Sequence, residues 1–556
     1  MKTWKTNLEE TKQRYINWWN HKGIILSMWE HFQEGVKPHA DIAPPAPARD
    51  LSQKWFDPQW RAEYLDWYVA HSSLMADMLP VANTQLGPGS LAAILGGVFE
   101  GGEDTIWIHP DPNFNDEIVF NPEHPNWLLH KELLKACKAK ANGNYFVGMP
   151  DLMEGLDVLA ALKGTDMVLL DTVMQSEVLE QQMQQINDIY FKVFDELYDI
   201  IREGDEMAFC YFSSWAPGKM SKLQSDISTM ISQDDYRRFV QPFIREQCQK
   251  IDYTLYHLDG VGAMHHLPAL LEIEELNAIQ WTPGVGEPQG GSPKWYDLYK
   301  KILAGGKSVM ACWVTLEELK PLLDHIGADG VHLEMDFHNE REVEQAMRII
   351  EEYTGSSSSV SADVHTNQPV GEQDNAQESI RIREEKSQEE DRMKPLYDAI
   401  VAGKLEPAVE VTKDAIAAGV LPQDIINGYM ITAMGEVGQR FQDGKAFVPQ
   451  LLMAGRAMKG ALELLKPLLA GNASATIGKI VIGTVKGDLH DIGKNLVASM
   501  LEGCGFEVIN IGIDVTCDKF VEAVKENKAD ILCMSALLTT TMTYMQDVIR
   551  ALEEAG

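Results

Sequence analysis

The sequence predicts an α/β protein built from parallel sheets, and three observations along its 556 residues lead to that prediction. Short apolar runs alternate with amphipathic helical patterns over residues 1–355, and a long polar stretch then interrupts them. Helical periodicity follows, and β-branched runs return near the C-terminus. We therefore expect a large α/β domain over 1–355, a linker over 356–391, a small helical bundle over 392–472 and a second α/β domain over 473–556.

In the N-terminal segment, apolar runs of strand length recur between helical patterns. They lie at 145–148, 208–212, 253–257, 278–281, 308–312 and 330–334. Repeated βα units over about 300 residues are typical of a closed barrel of eight parallel strands surrounded by helices. The segment is therefore predicted to be a (β/α)8 barrel.

The segment that follows has two parts of different composition. The stretch 356–391 holds Ser, Asp, Gln, Glu and Asn with almost no large apolar residues, so we predict a mobile tether rather than a surface loop without a role. After it, Met393, Leu396 and Ile400 recur at helical spacing. Longer helices are predicted over 424–441 and 448–469.

Three strands are predicted in the last segment. The runs 479–485, 506–512 and 530–534 are short and rich in apolar residues, and residues 494–501 have a helical pattern. Three strands alone would leave an open hydrophobic edge, so the domain looks incomplete. The sequence does not decide whether another element covers that edge.

Charge and cysteine usage exclude several classes of partner. The net charge of −35 is spread through both halves, so neither nucleic acid nor an anionic membrane surface is an expected partner. The polar N-terminus lacks the apolar core of a signal peptide, and no uncharged run is long enough to span a bilayer. Seven cysteines without a C-x-x-C pair fit a reducing cytoplasm better than a disulfide scaffold.

A D-x-H-x-x-G motif, formed by Asp488, His490 and Gly493, directly follows the first strand of the last segment. A parallel sheet presents loop residues at the carboxyl ends of its strands, where a His can serve as a metal ligand. A neutral imidazole gives one lone pair to the metal and needs a hydrogen-bond acceptor for its other nitrogen, which Asp488 can supply. Gly493 lets the backbone approach a bulky ligand. A loop His with an Asp cap is the alternative.

This segment resembles the cobalamin-binding domain of methionine synthase and of methanogen and acetogen corrinoid proteins, which has a flavodoxin-like or Rossmann-type fold. The resemblance implies that His490 replaces the cofactor's own base as the lower ligand of cobalt. It also implies that Ser535 and Leu537 belong to a loop lining the nucleotide pocket. The Thr541 hydroxyl is expected to bond Asp488.

A second part of the resemblance lies upstream, where residues 435–450 look like the helical cap over the methyl face of the corrin. By this resemblance, Phe447, Leu451 and Leu452 would cover the upper face of the cobalt and exclude water. Apolar residues at the start of a helix are more often simple core, and that alternative stays open. An adenosylcobalamin mutase shares the D-x-H-x-x-G motif but lacks this cap.

Polar residues of the N-terminal segment gather where its strands should end. His257 and Asp259 are two apart at one strand end, so they point to the same side of the pleat and can share one metal. The segment, mainly over 205–352, resembles the uroporphyrinogen decarboxylase superfamily, whose corrinoid-linked members are methyltransferases with an H-x-C zinc motif. By that resemblance, Glu334 stands where the third ligand is usually Cys. Carboxylates make a harder site that still suits Zn²⁺ without specifically favouring it.

The residues of this predicted metal site also have simpler interpretations, and an apolar pocket is predicted in the same segment. His257 and Asp259 could share only a hydrogen bond, and Cys312 is predicted to pack rather than to bind a metal. Residues 24–32 lack the Arg with which porphyrin decarboxylases bind substrate carboxylates, so porphyrin decarboxylation is not expected. Walls of a small apolar pocket, or simply core, are predicted at Trp29, His31, Tyr211, Trp215, Trp281 and Trp313.

Together, the two resemblances imply a cytoplasmic, corrinoid-dependent methyltransferase with its methyl carrier on the same chain. The barrel would move a methyl group from a small O-, N- or S-methyl compound to Co(I), with His257, Asp259 and Glu334 neutralising the leaving group. A reductive activator of the corrinoid and a second methyltransferase, serving a pterin or a thiol, are the implied partners. Two alternatives remain: the barrel methylates a thiol or tetrahydropterin from the corrinoid, or it is a non-catalytic platform on a corrinoid carrier.

Overall fold

A computed structural model describes residues 3–102, 105–111, 114–284, 286–354, 393–469, 478–488, 492–503, 506–536 and 539–555. The chain divides into two compact units, Met1–Ser357 and Ser358–Gly556. The predicted linker lies outside the described residues. So do the predicted boundary near residue 472, His490 and Leu537.

The N-terminal unit contains two parallel sheets. Its strands are β1 (Ile24–Ser27), β2 (Val81–Ala82), β3 (Val98–Gly101), β4 (Ile106–His109), β5 (Phe146–Met149), β6 (Met207–Phe209), β7 (Ser214–Ala216), β8 (Met220–Leu223), β9 (Tyr253–Asp259), β10 (Ala278–Thr282), β11 (Ser308–Val314) and β12 (Val331–Met335). Strands β1, β12, β11, β10, β9 and β8 join in that order, each pair parallel. Strands β2, β5 and β6 form a second parallel set ended by antiparallel β7, and β3 pairs with β4 as a hairpin.

The predicted alternation of strands and helices is confirmed, whereas strand pairing does not show closure into one (β/α)8 barrel. The described strands pair into two sheets and a hairpin rather than a single ring. β1 and β2 end different sheets and do not pair. Asp77, which precedes β2, bonds to β1: its backbone N–H donates to Leu26 O at 2.9 Å, and its Oδ2 accepts from Leu26 N at 3.0 Å. Sequence periodicity could not report this, because it identifies strands but not the partners at the ends of a sheet.

Helices follow most of these strands. They are α1 (Leu8–Trp19), α2 (Leu51–Phe56), α3 (Pro58–His71), α4 (Ser90–Ile94), α5 (Pro125–Ala141), α6 (Gly155–Lys163), α7 (Thr165–Met174), α8 (Ser176–Ile201), α9 (Gln233–Phe239), α10 (Gln241–Lys250), α11 (Leu267–Leu271), α12 (Tyr296–Ala304), α13 (Leu316–Ile326) and α14 (Glu340–Thr354). Local signals explain some of the boundaries. Asp57 caps α3 ahead of Pro58, and Thr315 with Glu318 forms a capping box at the start of α13.

The described part of the C-terminal unit begins with a helical bundle, as predicted. Its helices are α15 (393–401), α16 (Leu405–Ala417), α17 (Pro422–Ile425), α18 (Ile431–Gln442) and α19 (Val448–Leu469), with a π-helical turn at Ile426–Met430 between α17 and α18. Met393, Leu396 and Ile400 are fully buried in its core, where they join residues of the later helices such as Ile425 and Met458. The helical spacing in the sequence therefore identified this core correctly.

The rest of the C-terminal unit is a three-stranded parallel sheet with helices. Its elements are β13 (Lys479–Thr484), α20 (Ile492–Gly503), β14 (Glu507–Asn510), α21 (Cys517–Asn527), β15 (Ile531–Ser535), α22 (Thr539–Met542) and α23 (Tyr544–Ala555). The strand order β14-β13-β15 is the start of the flavodoxin-like order. A core of Val485, Val515, Phe520 and Val548 joins the sheet to α21 and α23. Across the described ranges, no helix combines the length and apolar character that a membrane crossing requires.

Candidate functional site

The carboxyl ends of β13 and β15 form the candidate cofactor site of the C-terminal unit. In a doubly wound sheet, the order β14-β13-β15 has its switch point between β13 and β15, where a crevice opens at the carboxyl edge. The loop after β13 carries Asp488. Ser535 ends β15, and its carbonyl accepts a hydrogen bond from Val485 N at 3.0 Å. Asp488, the first residue of the motif found in the sequence, therefore lies at the edge where such sheets bind ligands.

Asp488 is fully buried (0 % exposed) and is bonded by Thr541, as the resemblance implied. Thr541 Oγ1 donates to Asp488 Oδ2 at 2.7 Å. Backbone hydrogen bonds also hold the loop, because Asp488 N donates to Val485 O at 3.1 Å and Asp514 N donates to Asp488 O at 3.2 Å. Burying a carboxylate is costly unless donors replace its lost hydration. A compensated carboxylate thus stands two residues before His490 in the chain.

Gly493 is the second residue of α20 and is exposed. A Cβ added there would meet no atom of the described residues within 4 Å, so packing within the protein does not require a glycine at this position of α20. At Gly483, in contrast, an added Cβ would lie 2.8 Å from Ile511 and 2.9 Å from Phe520. The space at Gly493 is thus open among the described residues, which is compatible with the close approach of a bulky ligand.

The residues predicted to lie over the cofactor differ in their surroundings. Phe447 is half-buried, and its backbone N–H donates to Gln450 Oε1 at 2.9 Å at the start of α19. Leu452 is buried. Leu451 belongs to a small buried cluster with Val437, Ala446 and Ala454. Packing within the bundle therefore accounts for the burial of Leu451, whereas Phe447 keeps part of its surface exposed.

His257, Asp259 and Asp226 form the candidate metal site of the N-terminal unit. Each offers one ligand atom, and the three atoms lie within 4.8 Å of one another. His257 Nε2 is 3.9 Å from Asp259 Oδ2, which is too far for a hydrogen bond. Two ligand atoms of one tetrahedral zinc stand about 3.4 Å apart, given metal–ligand distances of about 2.1 Å. The alternative of a simple His–Asp hydrogen bond is therefore not observed, and the donor set fits a divalent cation.

The sheet explains how these three residues meet. His257 and Asp259 are two apart on β9 and so face the same side. Asp226 lies just beyond the neighbouring strand β8, and its backbone N–H donates to Asp157 Oδ2 at 2.8 Å. Lys222 on β8 is linked to Asp226 through Gln224, since its Nζ donates to Gln224 Oε1 and Gln224 Nε2 donates to Asp226 Oδ2 at 2.9 Å. Sequence reasoning missed Asp226, because it begins a short 3-10 helix, Asp226–Met230, in a segment that carries no motif.

Glu334, the third predicted ligand, lies outside this group. It is on β12, three strands away from β9, and its Oε2 accepts a hydrogen bond from Cys312 Sγ at 2.7 Å. Gln280 Nε2 donates to Cys312 Sγ at 3.0 Å, and Gln280 Oε1 bonds His257 Nδ1. Burial raises the pKa of Glu334 to about 7. Glu334 is thus linked to His257 through two side chains, and Cys312 has a polar role as well as a packing one.

The protonation states around the cluster follow from desolvation. Burial, assisted by the Lys222 ammonium, lowers the pKa of His257 to about 3, so the imidazole is neutral, as a metal ligand must be. Burial raises the pKa of Asp259, and Lys222 opposes that shift. Asp226 reaches solvent, yet partial desolvation and the nearby Asp157 carboxylate raise its pKa well above its usual value. A bound cation would favour the ionised form of both carboxylates.

Three of the six predicted pocket walls come together beside His257. Ring centroids lie 4.5 Å apart for Trp29 and Tyr211, 6.4 Å apart for Trp29 and Trp313, and 5.9 Å apart for Tyr211 and His257. Phe212, which the sequence did not single out, lies 5.1 Å from Trp29 and 6.0 Å from His257. The other predicted walls are buried residues: His31, Trp215 and Trp281. We call Trp29, Tyr211, Phe212 and Trp313 the aromatic wall.

Backbone strain marks two members of the aromatic wall. Phe212 has φ +60° and Trp313 has φ +55°, in the left-handed region, and Ser213 has φ +43°. Such a conformation costs a non-glycine residue roughly 1–3 kcal/mol and persists only where the surroundings impose it. Trp313 also falls within a register shift between Ala311 and Val314 in the pairing of β11 with β12. Bulges of this kind redirect side chains near functional sites.

Comparison with known proteins places the C-terminal unit in a family. Two families described as B12 binding domains match, one over residues 478–556 and the other over 393–466. Trimethylamine corrinoid protein 1 of Methanosarcina mazei is 45 % identical over 161 residues, which are 29 % of this chain and 74 % of that protein. Dimethylamine corrinoid protein of Methanosarcina barkeri is 42 % identical over 168 residues, 30 % of this chain and 78 % of that protein.

A solved structure is similar to part of the chain. The crystal structure of the methanol:cobalamin methyltransferase complex from Methanosarcina barkeri has 33 % sequence identity and a TM-score of 0.28. The match covers 32 % of this chain and 70 % of that one.

Proposed function

Because the chain belongs to the family of corrinoid proteins, we propose that it is a corrinoid-dependent methyltransferase whose methyl carrier is its own C-terminal unit. The observation that supports this most directly is the buried Asp488, bonded by Thr541 at the carboxyl edge of a sheet that the B12 binding family matches. The N-terminal unit would take the methyl group from a small O-, N- or S-methyl compound. The reverse direction, to a thiol or tetrahydropterin, is the alternative.

We assign the corrinoid to residues of the C-terminal unit. His490 is the proposed lower ligand, and Asp488 the acceptor that would fix its orientation. Gly493 leaves room for the macrocycle. When bound, the corrinoid supplies a cobalt that accepts and releases a methyl group. Further residues proposed to line the nucleotide pocket and the upper face are Ser535, Leu537, Thr541, Phe447 and Leu451.

In the N-terminal unit, proposed to be a (β/α)8 barrel of the uroporphyrinogen decarboxylase type, the metal site would prepare the substrate. An unactivated methyl ether, amine or thioether is a poor methyl donor because its leaving heteroatom gains negative charge. His257, Asp259 and Asp226 are proposed to hold a Zn²⁺, which would act as a Lewis acid for that heteroatom. The aromatic wall would bind the apolar part of the substrate and limit water.

Two partners complete the proposed cycle. Cobalt of a methyl-transferring corrinoid is occasionally oxidised, so a reductive activator is required. A second methyltransferase would move the methyl group from the corrinoid to a pterin or a thiol.

The test uses the full chain reconstituted with corrinoid. The reduced protein is incubated with a panel of methoxy, methylamino and methylthio compounds, and methylation of the corrinoid is read from its visible spectrum. We expect one class of compound to react, and we expect His490→Ala to change the spectrum of the bound corrinoid before any substrate is added. A protein that binds no corrinoid, or whose spectrum is the same with alanine at position 490, would contradict the proposal.

A further inference from the structure

Four polar side chains, one on each of four neighbouring strands of the N-terminal sheet, form a hydrogen-bonded row. His257 on β9 pairs in register with Gln280 on β10, so the two side chains face the same side. Cys312 on β11 and Glu334 on β12 continue the row, with hydrogen bonds of 3.0 Å from Gln280 Nε2 to Cys312 Sγ and 2.7 Å from Cys312 Sγ to Glu334 Oε2. All four residues are buried. We call them the polar row.

The number of donors and acceptors on each side chain determines which group donates in each hydrogen bond of the polar row. Above pH 7, where Glu334 is ionised, its carboxylate can only accept, so the Cys312 thiol donates its hydrogen to Glu334. The Cys312 sulfur then accepts from one amide hydrogen of Gln280, and the other donates to Thr282 Oγ1 at 2.8 Å. With both amide hydrogens used, the Gln280 oxygen faces His257 Nδ1. His257 Nδ1 must therefore carry the proton of the neutral ring.

The opposite orientation of the Gln280 amide is disfavoured by the same chemistry. It would turn the amide oxygen toward Cys312 and draw the thiol hydrogen away from Glu334. Glu334 is 2 % exposed, and its other oxygen has no hydrogen-bond partner in the part of the chain that the structure describes. A buried carboxylate left without a donor is far more costly than one hydrogen bond gained elsewhere.

We propose that Gln280 is a positioning residue that holds His257 as the Nδ1–H tautomer and leaves the Nε2 lone pair for a divalent cation shared with Asp259 and Asp226. Cys312 and Glu334 hold the Gln280 amide in the required orientation. This inference rests on the metal role proposed above for His257. It gives Glu334 a function at the site without coordination.

The experiment measures two properties of the full chain. The first is the dissociation constant for Zn²⁺, from competition with a chromophoric chelator. The second is the tautomer of His257 in metal-free protein, from ¹⁵N spectra of histidine-labelled chain assigned with His257→Ala. Gln280→Leu keeps the side-chain size but removes both polar groups. We expect it to weaken zinc binding roughly 10- to 100-fold, as loss of the hydrogen-bond partner of a ligating His does. We also expect the neutral ring to lose its preference for carrying the proton on Nδ1.

A matched pair of variants separates orientation from packing. Cys312→Ala should weaken zinc binding in the same direction but less, because Gln280 keeps Thr282 as a partner. Cys312→Ser should restore wild-type values, since a hydroxyl accepts from Gln280 and donates to Glu334 as the thiol does. Serine and alanine variants that behave alike would overturn the inference.

The two proposals fail in different ways. If wild-type protein and His257→Ala bind zinc equally, the metal role is wrong, while the ¹⁵N spectrum still decides the role of Gln280. If zinc binds at His257 but Gln280→Leu changes neither affinity nor tautomer, Gln280 does not position the ligand. A wild-type His257 protonated at Nε2 would have the same meaning.

Discussion

The two sheet edges that hold the candidate sites are built in different ways. At the edge of the C-terminal sheet, Asp488, His490 and Gly493 come from one six-residue motif, and one distant side chain, Thr541, completes the contact. At the edge of the N-terminal sheet, the candidate metal ligands (His257, Asp259 and Asp226) and the polar row come from the ends of five strands between residues 226 and 334. A compact motif can be recognised from the chain alone, whereas a distributed site exists only after the strands have paired.

Solvent exposure differs between the two edges as well. Asp488 is fully buried and bonded, so it is a fixed part of the C-terminal unit. The side chain of Asp259 is 42 % exposed and Asp226 is exposed, so these two carboxylates face outward, where a cation or substrate can reach them.

The largest effect of a substitution is expected at the N-terminal edge. Replacing both His257 and Asp259 by alanine in the full chain should lower the rate of corrinoid methylation by roughly 10²- to 10³-fold, the range for loss of an electrostatic stabiliser. The corrinoid content and spectrum should not change, because the cofactor belongs to the other unit. Stopped-flow spectra with a reacting substrate measure the rate. An unchanged rate would support a corrinoid carrier with a non-catalytic N-terminal unit.

The pH dependence of stability should distinguish a buried acid of the polar row from exposed ones. Burial raises the pKa of Glu334 to about 7, above its value of about 4.3 in an unfolded chain. Between these values the folded state holds a proton that the unfolded state has lost, so stability falls as pH rises from about 4.3 to about 7. Glu334→Gln has no such proton and should flatten this fall by at most about 4 kcal/mol.

Denaturant unfolding of both proteins across this pH range measures the difference. Glu340→Gln is a suitable control, because Glu340 is exposed at the start of α14. If wild type and Glu334→Gln follow parallel pH curves, the carboxyl is not desolvated as described.

A third prediction tests whether Asp226 or Glu334 is the third metal ligand. Asp226→Asn should weaken zinc binding by at least the roughly 10- to 100-fold that an outer partner is worth, because a charged ligand is lost. Glu334→Gln should have little effect, since its amide oxygen can still accept the hydrogen bond from Cys312. Equilibrium competition with a chelator provides both constants. The reverse ranking would restore Glu334 as a ligand in place of Asp226.

The smallest effect is expected at the C-terminal edge. Thr541→Val removes the donor at 2.7 Å from the buried Asp488 and should destabilise the C-terminal unit by about 1–2 kcal/mol. Thr541→Ser keeps the hydroxyl and is the matched control. Chemical unfolding followed through corrinoid absorbance reports the C-terminal unit alone. Equal stability of the valine and serine variants would mean that the hydroxyl does not contribute.

Several parts of the fold were predictable because they depend on local patterns. The apolar runs at 253–257, 278–281 and 308–312 correspond to β9, β10 and β11, and helical spacing identified the core of the bundle. The Thr541 contact was predictable only through resemblance to a known domain, since no local rule links it to Asp488 across the intervening strands.

Other parts could not be predicted from local patterns. Asp226 follows β8 at the start of a short 3-10 helix, and nothing in its neighbours predicts that it meets His257. Gln280 attracts attention only once β10 is known to pair with β9 in the register that sets it opposite His257. The left-handed backbone of Phe212 and Trp313 depends on packing around them, which residue identity does not reveal.

The sequence by itself determined the α/β class, the helical bundle and the Asp488–His490–Gly493 motif, because periodicity and spacing act over a few residues. The tertiary structure alone decided that Asp226 rather than Glu334 joins His257, and that Glu334 reaches the site through Cys312 and Gln280. Parallel strands are joined by long crossovers, so neighbours in the sheet lie far apart in the chain. Their register is set by the packing of the whole unit, and with it the identity of the residues that share a site.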